Sequence, residues 1–234
     1  MVPEIGINLS RGCGNPTGFA NLQPGEVVVD FGCGAGIDVI LAAHKVGGQG
    51  QVVGLDFAPQ MIERAKQAVI ASGLQERDID LRVADLENSL LPKSFADVVI
   101  SNCVINLVPD KKAVYGEAIR ILKPGGRLAI SDVVLTEEID PHLRKRFQED
   151  WAGCLGGAVP EKDYWQTITN AGFTEIKTVS RHTLTPQELE AMACCPGKEF
   201  TPAAAQEDLA AVQGNVVSVK FTAVKPNPEL KIED

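Results

Sequence analysis

Runs of apolar residues alternate with amphipathic stretches along the whole chain, and the two periods separate cleanly. Val27-Val28-Val29, Val52-Val53 and Val98-Val99-Ile100 are uninterrupted apolar runs, the pattern of strands covered on both faces. The pattern predicts strands at 26–31, 51–56, 79–84, 96–102, 126–133, 175–181 and 215–224. Helices are predicted near 36–46, 58–72, 111–122, 141–150, 160–171, 186–193 and 205–211. In the segment 58–72, Met61, Ile62, Ala65, Ala68 and Val69 recur at helical spacing, and Pro59 suits a first turn. Lys123-Pro124-Gly125-Gly126 stops a helix and turns the chain into the strand 126–133. Alternating β and α units joined by short loops predict an α/β fold with a doubly wound, mostly parallel sheet. Two stretches, about 134–174 and 183–214, exceed a simple crossover and are expected to form a lid or cap on a single domain spanning 1–225, followed by a polar tail at 226–234.

The loop after the first strand carries the chemistry. Asp30-Phe31-Gly32-Cys33-Gly34-Ala35-Gly36-Ile37-Asp38 joins a strand to a helix, and the next strand ends in Asp56, 20 residues after Gly36. Glycines let the chain turn sharply and let backbone N–H groups approach a ligand with no Cβ in the way. The spacing is Gly-x-Gly-x-Gly, not the Gly-x-Gly-x-x-Gly that seats a pyrophosphate at a helix N-terminus. Acids at both ends of the loop, Asp30 and Asp38, repel phosphate and suit a cationic ligand with an amino group. S-adenosylmethionine fits this better than a dinucleotide. Ligands on such sheets lie beyond the carboxyl ends of the strands. The expected contacts are Asp30, Gly32, Gly34 and Gly36 around the methionine part, Asp56 on the ribose, Met61 against the adenine, Asp85 or Leu86 at its edge, and Asn102 with Cys103 on the floor near the methyl.

Composition narrows the partners. With 234 residues, 44% hydrophobic and 23% charged, the chain can bury an ordinary globular core. A net charge of −9 argues against nucleic acid and anionic membrane, which need a basic footprint, and Arg144-Lys145-Arg146 reads as a solvated helix face. There is no uncharged apolar stretch of membrane-spanning length and no signal-peptide core in the first 12 residues, so a soluble cytoplasmic protein is expected. His44, His142 and His182 are scattered without ligand spacing, which implies no zinc site. Cys13, Cys33, Cys103, Cys154, Cys194 and Cys195 are irregularly spaced, suggesting working thiols more than a structural disulfide framework.

Three of these thiols sit in distinctive contexts: Arg11-Gly12-Cys13-Gly14-Asn15-Pro16, Ser101-Asn102-Cys103-Val104-Ile105-Asn106-Leu107 and Cys154-Leu155-Gly156-Gly157-Ala158. Together they resemble the arsenite methyltransferases, over a span from about Asn8 to Pro226. The resemblance implies a seven-stranded Rossmann-like methyltransferase sheet whose last strand, near 215–224, is antiparallel. It implies that Cys13, Cys103 and Cys154 bind trivalent arsenic and act as the catalytic thiols. It also implies a small-molecule substrate, arsenite or its thiol conjugates, and a thiol reductant such as glutathione or thioredoxin. The family's further upstream cysteine has no counterpart in the 12 residues before Cys13, so a disulfide relay would draw on Cys33, Cys194 or Cys195.

The chemistry is self-consistent. Arsenic(III) is soft and carries a lone pair, so two or three thiolates can hold it while the lone pair stays free to attack a methyl group. No general base is required, and transfer depends mainly on positioning. Two alternatives remain open in the sequence: a methyltransferase for a small organic acceptor, in which the cysteines only pack, and a thiol-rich arsenic-binding protein on the same fold. Cys33, inside the glycine loop, is expected to be a small packing residue.

Overall fold

The structure, a computed structural model, describes residues 14–150, 154–193 and 202–229. Seven strands form one sheet: β1 (Val27–Phe31), β2 (Gln51–Asp56), β3 (Asp78–Val83), β4 (Ala96–Asn102), β5 (Leu122–Leu135), β6 (Thr174–Thr183) and β7 (Val216–Val224), in the order β3-β2-β1-β4-β5-β7-β6. β1 to β5 run parallel, while β7 is inserted antiparallel between β5 and β6. The predicted doubly wound sheet with an antiparallel last strand is therefore present. Strand order reverses beside β1, between its neighbours β2 and β4, and this switch point opens a crevice at the carboxyl ends of the strands.

The valine runs explain the layers, because successive residues of a strand face opposite sides. Val29, Phe31, Val53, Leu55 and Val99 join one apolar cluster with Val114, Ala118 and Ile121 of helix α4 (Lys111–Ile121). Val28, Val52, Val98 and Ile100 join the other, with Val39, Ile40 and Ala43 of α2 (Ile37–Val46) and Ile62, Ala68 and Val69 of α3 (Pro59–Ala71). The predicted stripe on α3 is thus core, except for Met61, which stays only half-buried.

Two boundaries differ from expectation. β5 begins at Leu122, not 126: Ala96 pairs with Leu122, then the register jumps to Val98 with Arg127, so Lys123-Pro124-Gly125-Gly126 loops out of a strand that resumes pairing on its far side. Gly125 supplies the positive φ, 78°, that this excursion needs. A short helix, α1 (Pro16–Phe19), was not predicted; Asn15 caps it, its Oδ1 accepting from Gly18 N–H at 3.0 Å.

The two long insertions carry α5 (Pro141–Asp150), α6 (Glu161–Asn170), α7 (Pro186–Ala193) and α8 (Pro202–Ala211). Ile139, Leu143, Phe147 and Leu155 from the first share an apolar cluster with Leu189, Leu209 and Val212 from the second and with Val133, Leu135 and Val216 from β5 and β7. Arg146 of α5 pairs with Asp208 of α8 across this cluster.

Candidate functional site

The three loop glycines answer to three different neighbours. Gly32 has φ +76°, and a Cβ there would lie 2.4 Å from Val104 Cγ2. Gly36, φ +87°, lets α2 pack onto α3, since its Cβ would lie 3.0 Å from that of Ala65. Gly34, φ +50°, is different: a Cβ there would meet nothing within 4 Å, so its backbone faces open space. The loop is tied to β2 by Asp56, whose carboxylate accepts from Gly34 N–H at 2.9 Å through Oδ2 and from Ala58 N–H at 2.9 Å through Oδ1. Each carboxylate oxygen keeps acceptor capacity for a further donor.

Three carboxylates converge here. Asp30 is buried, and its Oδ2 has no hydrogen-bond partner among the described residues. Burial, then the charges of Asp38 and Asp56, push its carboxyl well above the usual range. Burial likewise raises Asp38, against the opposing hydrogen bond from Asn102 Nδ2 at 3.0 Å. Such a cluster is destabilised by its own charge and relieved by a cation. The donor set therefore fits a cationic ligand over an open Gly34.

The remaining predicted contacts divide. Asn102 is a clamp: its Nδ2 also donates to Gly14 O at 2.8 Å, and its Oδ1 accepts from Gly14 N–H at 3.2 Å, fastening β4 to the N-terminal segment. Asp85 is exposed and accepts from Glu87 N–H at 2.9 Å. Leu86 is buried in the same apolar cluster as Phe31 and Leu91, which leaves its backbone rather than its side chain for a ligand. Sequence reasoning passed over Phe57, a large apolar residue 69% exposed immediately after Asp56.

At the end of β4 the chain turns at Cys103, whose φ of +62° is unusual for a residue with a side chain, and whose N–H donates to Ser131 O at 2.8 Å. Cys154 reaches it from the loop after α5, its Sγ donating to Cys103 O at 2.6 Å. Two contacts hold that loop down. Gly157 lies flat against the 105–107 turn, where a Cβ would sit 1.8 Å from Asn106 O, and Arg144 Nη1 donates to Ala158 O at 2.9 Å. Cys103 is engaged in a disulfide, whereas Cys33 and Cys154 are free thiols. Burial pushes the Cys154 thiol up, Asp132 adds to this, and Lys111 opposes it. Cys13, Cys194 and Cys195 lie outside the described residues. Cys33 packs beneath the glycine loop, where a Cβ on Gly54 would lie 3.0 Å from its Sγ; burial, then Asp30 and Asp56, raise its thiol.

Asp132 completes the thiol site. Ligand atoms of Cys103, Asp132 and Cys154 all lie within 4.8 Å of one another, and among the described residues no other three side chains form such a donor group. Asp132 is buried in β5; burial pushes its carboxyl up to about 6, against hydrogen bonds from Val133 N–H and Tyr164 and the charge of Lys111. Its Oδ1 accepts from Val133 N–H at 2.8 Å and Asn106 Nδ2 at 2.9 Å, and its Oδ2 from Tyr164 OH at 2.9 Å. Tyr115 OH in turn donates to Tyr164 OH at 2.8 Å. The available signal was an acid set inside the apolar run Leu128 to Leu135, since a charged residue in a covered strand calls for partners.

Similarity to known proteins extends over most of the chain. A family model described as a methyltransferase domain matches residues 22–172. An arsenite methyltransferase of Halobacterium salinarum is 39% identical over 172 residues, covering 74% of this chain and 43% of its own. One from Mus musculus is 35% identical over 170 residues, covering 70% and 45%. The chain thus spans less than half the length of either relative. Among solved structures, an arsenic(III) S-adenosylmethionine methyltransferase from Chlamydomonas reinhardtii superposes with a TM-score of 0.77 at 28% identity, covering 100% of this chain and 73% of that one.

Proposed function

The chain belongs to the methyltransferase-domain family, and on that premise we propose that it transfers a methyl group from S-adenosylmethionine to trivalent arsenic held by its own thiols. The observation that carries this reading is the meeting of Cys103 and Cys154 at the carboxyl end of β4, beside the acid-flanked glycine loop.

The loop residues suit the cofactor's charges. Asp30 and Asp38 balance cationic groups, the exposed backbone of Gly34 leaves room for close approach, and Asp56 offers acceptors to ribose hydroxyls. Bound there, S-adenosylmethionine supplies an electrophilic methyl group on a cationic sulfur. The chain's own task is to hold the acceptor. Arsenite is neutral As(OH)3 near pH 7, and each thiol that binds it gives up its proton to a departing hydroxide as water. The raised proton affinity of Cys154 is therefore no obstacle, because no free thiolate has to accumulate. With two or three sulfurs on arsenic, the lone pair remains as the nucleophile. When that pair becomes an As–C bond, the methyl–sulfur bond breaks and its electron pair departs with the neutral thioether S-adenosylhomocysteine. Arsenic passes from the trivalent to the pentavalent state, and two electrons from a pair of thiols, which become a disulfide, return it.

Cys103 must be reduced before it can accept arsenic, so a dithiol or glutathione-type reductant is part of the reaction. Such a reaction belongs in a thiol-reducing compartment, the cytoplasm. Among the described residues no helix is long and apolar enough to cross a membrane.

The test is methyl transfer to arsenite under excess thiol, with arsenic species separated by chromatography. The parent should yield methylated arsenic and Cys154→Ser none, with cofactor affinity unchanged. Equal product from both would remove the thiol mechanism; cofactor binding without any methylated arsenic would favour an organic acceptor.

A further inference from the structure

Asp132 gives the thiol pair a hard oxygen neighbour that arsenic(III), satisfied by sulfur, does not require. We propose that, with Cys103 reduced, the sulfurs of Cys103 and Cys154 and a carboxylate oxygen of Asp132 bind a thiophilic divalent cation of the Zn²⁺ and Cd²⁺ class, which then competes with the methyl acceptor.

Sulfur and carboxylate donors are both ordinary Zn²⁺ ligands, and a tetrahedral site needs donors roughly 3.5 Å apart. The three donor atoms already lie within 4.8 Å of one another, so closing the site asks for about an ångström of movement. A fourth position has a ready recipient. Asn106 is 4% exposed and its Oδ1 has no partner among the described residues, while its Nδ2 is fixed by Asp132 Oδ1 at 2.9 Å and Val133 O at 2.6 Å. A metal-bound water could donate to that oxygen. Charge also closes: two thiolates and a carboxylate carry −3, the cation +2, and the half-buried Lys111, which interacts electrostatically with both Asp132 and Cys154, supplies the last positive charge.

The chemistry has two balanced steps. A phosphine and water convert the disulfide of Cys103 to two thiols and phosphine oxide. The cation then displaces two thiol protons to solvent, with no change in oxidation state.

The experiment is a Cd²⁺ titration of the phosphine-reduced protein, followed by thiolate-to-cadmium charge-transfer absorbance and by bound metal per chain. A Cys103→Ser/Cys154→Ser double variant gives the background from the other cysteines. The parent should bind one Cd²⁺ more than this variant, and arsenite should displace that ion. Asp132→Asn should keep the extra ion but weaken it by about tenfold or more. Cys154→Ala alone should lower the charge-transfer amplitude, and the unreduced protein should lack the extra site. Equal metal content in parent and double variant, or equal affinity in parent and Asp132→Asn, overturns the site. None of these readings involves methyl transfer, so their failure leaves the proposed reaction untouched.

Discussion

Gly32 and Gly34 look interchangeable in sequence, yet their surroundings assign them opposite liabilities. An alanine at 32 meets both a left-handed backbone and the branched side chain of Val104, which has nowhere to swing. Gly32→Ala should therefore cost roughly 3 kcal/mol of stability, read as a lower urea midpoint. Gly34→Ala keeps only the backbone term, about 1–2 kcal/mol, but puts a methyl into the open space over the loop. It should lose most of its S-adenosylmethionine affinity in calorimetry while remaining folded. Parent-like cofactor binding by Gly34→Ala would mean that the ligand does not pass over this residue. The glycines and Cys103 with Cys154 were legible as residues, because their types are chemically distinctive. Their assignments were not, because these depend on Val104, Ala65 and Asn106, which only the folded chain brings up against Gly32, Gly36 and Gly157. Asp132 escaped for the same reason: its partners Asn106, Tyr164 and Lys111 are distant in sequence.

At the level of elements, the strands and helices were readable nearly to their ends, since apolar runs and helical stripes are local signals. The Lys123–Gly126 turn was seen but misjudged, because whether a turn ends a strand or bulges from it depends on β4, which pairs on both sides of it. The glycine loop shows what an element can do that its residues cannot do singly. Asp30 and Asp38 flank it, both held above the usual carboxylate range chiefly by burial, Asp30 also by Asp38 and Asp56. A ligand-free loop thus retains protons that a bound cation makes unfavourable. Cofactor binding should release protons, and affinity should strengthen as pH rises above the ordinary carboxylate range, because binding then no longer has to expel them. Calorimetry in buffers of different ionisation enthalpy measures the release directly. An observed enthalpy independent of buffer would show that neither carboxyl changes protonation on binding.

For the whole molecule, raised carboxyls shape the dependence of stability on pH. Asp132 moves from an ordinary 3.8 to about 6 on folding, mainly through burial, while Asp30 and Asp38 move the same way. Between the unfolded and folded values the native state keeps a proton that the unfolded chain has lost. That contribution is complete below the unfolded value and disappears as pH rises through the folded one. For Asp132 alone the change is worth ~3 kcal/mol between about pH 4 and pH 6. Glu188 acts oppositely: the Thr185 N–H and His182 hold it near 2, so its stabilisation is lost only in stronger acid. The protein should therefore be most stable in mild acid, with urea midpoints falling from about pH 5 towards neutrality. Asp132→Asn carries no titrating proton at this position, so its midpoint should fall less steeply over the same interval, with the difference concentrated below about pH 6. Parallel pH profiles for parent and variant would mean that Asp132 ionises alike in the folded and unfolded chain, and that its partners, Tyr164, Asn106 and the Val133 N–H, fully compensate its burial.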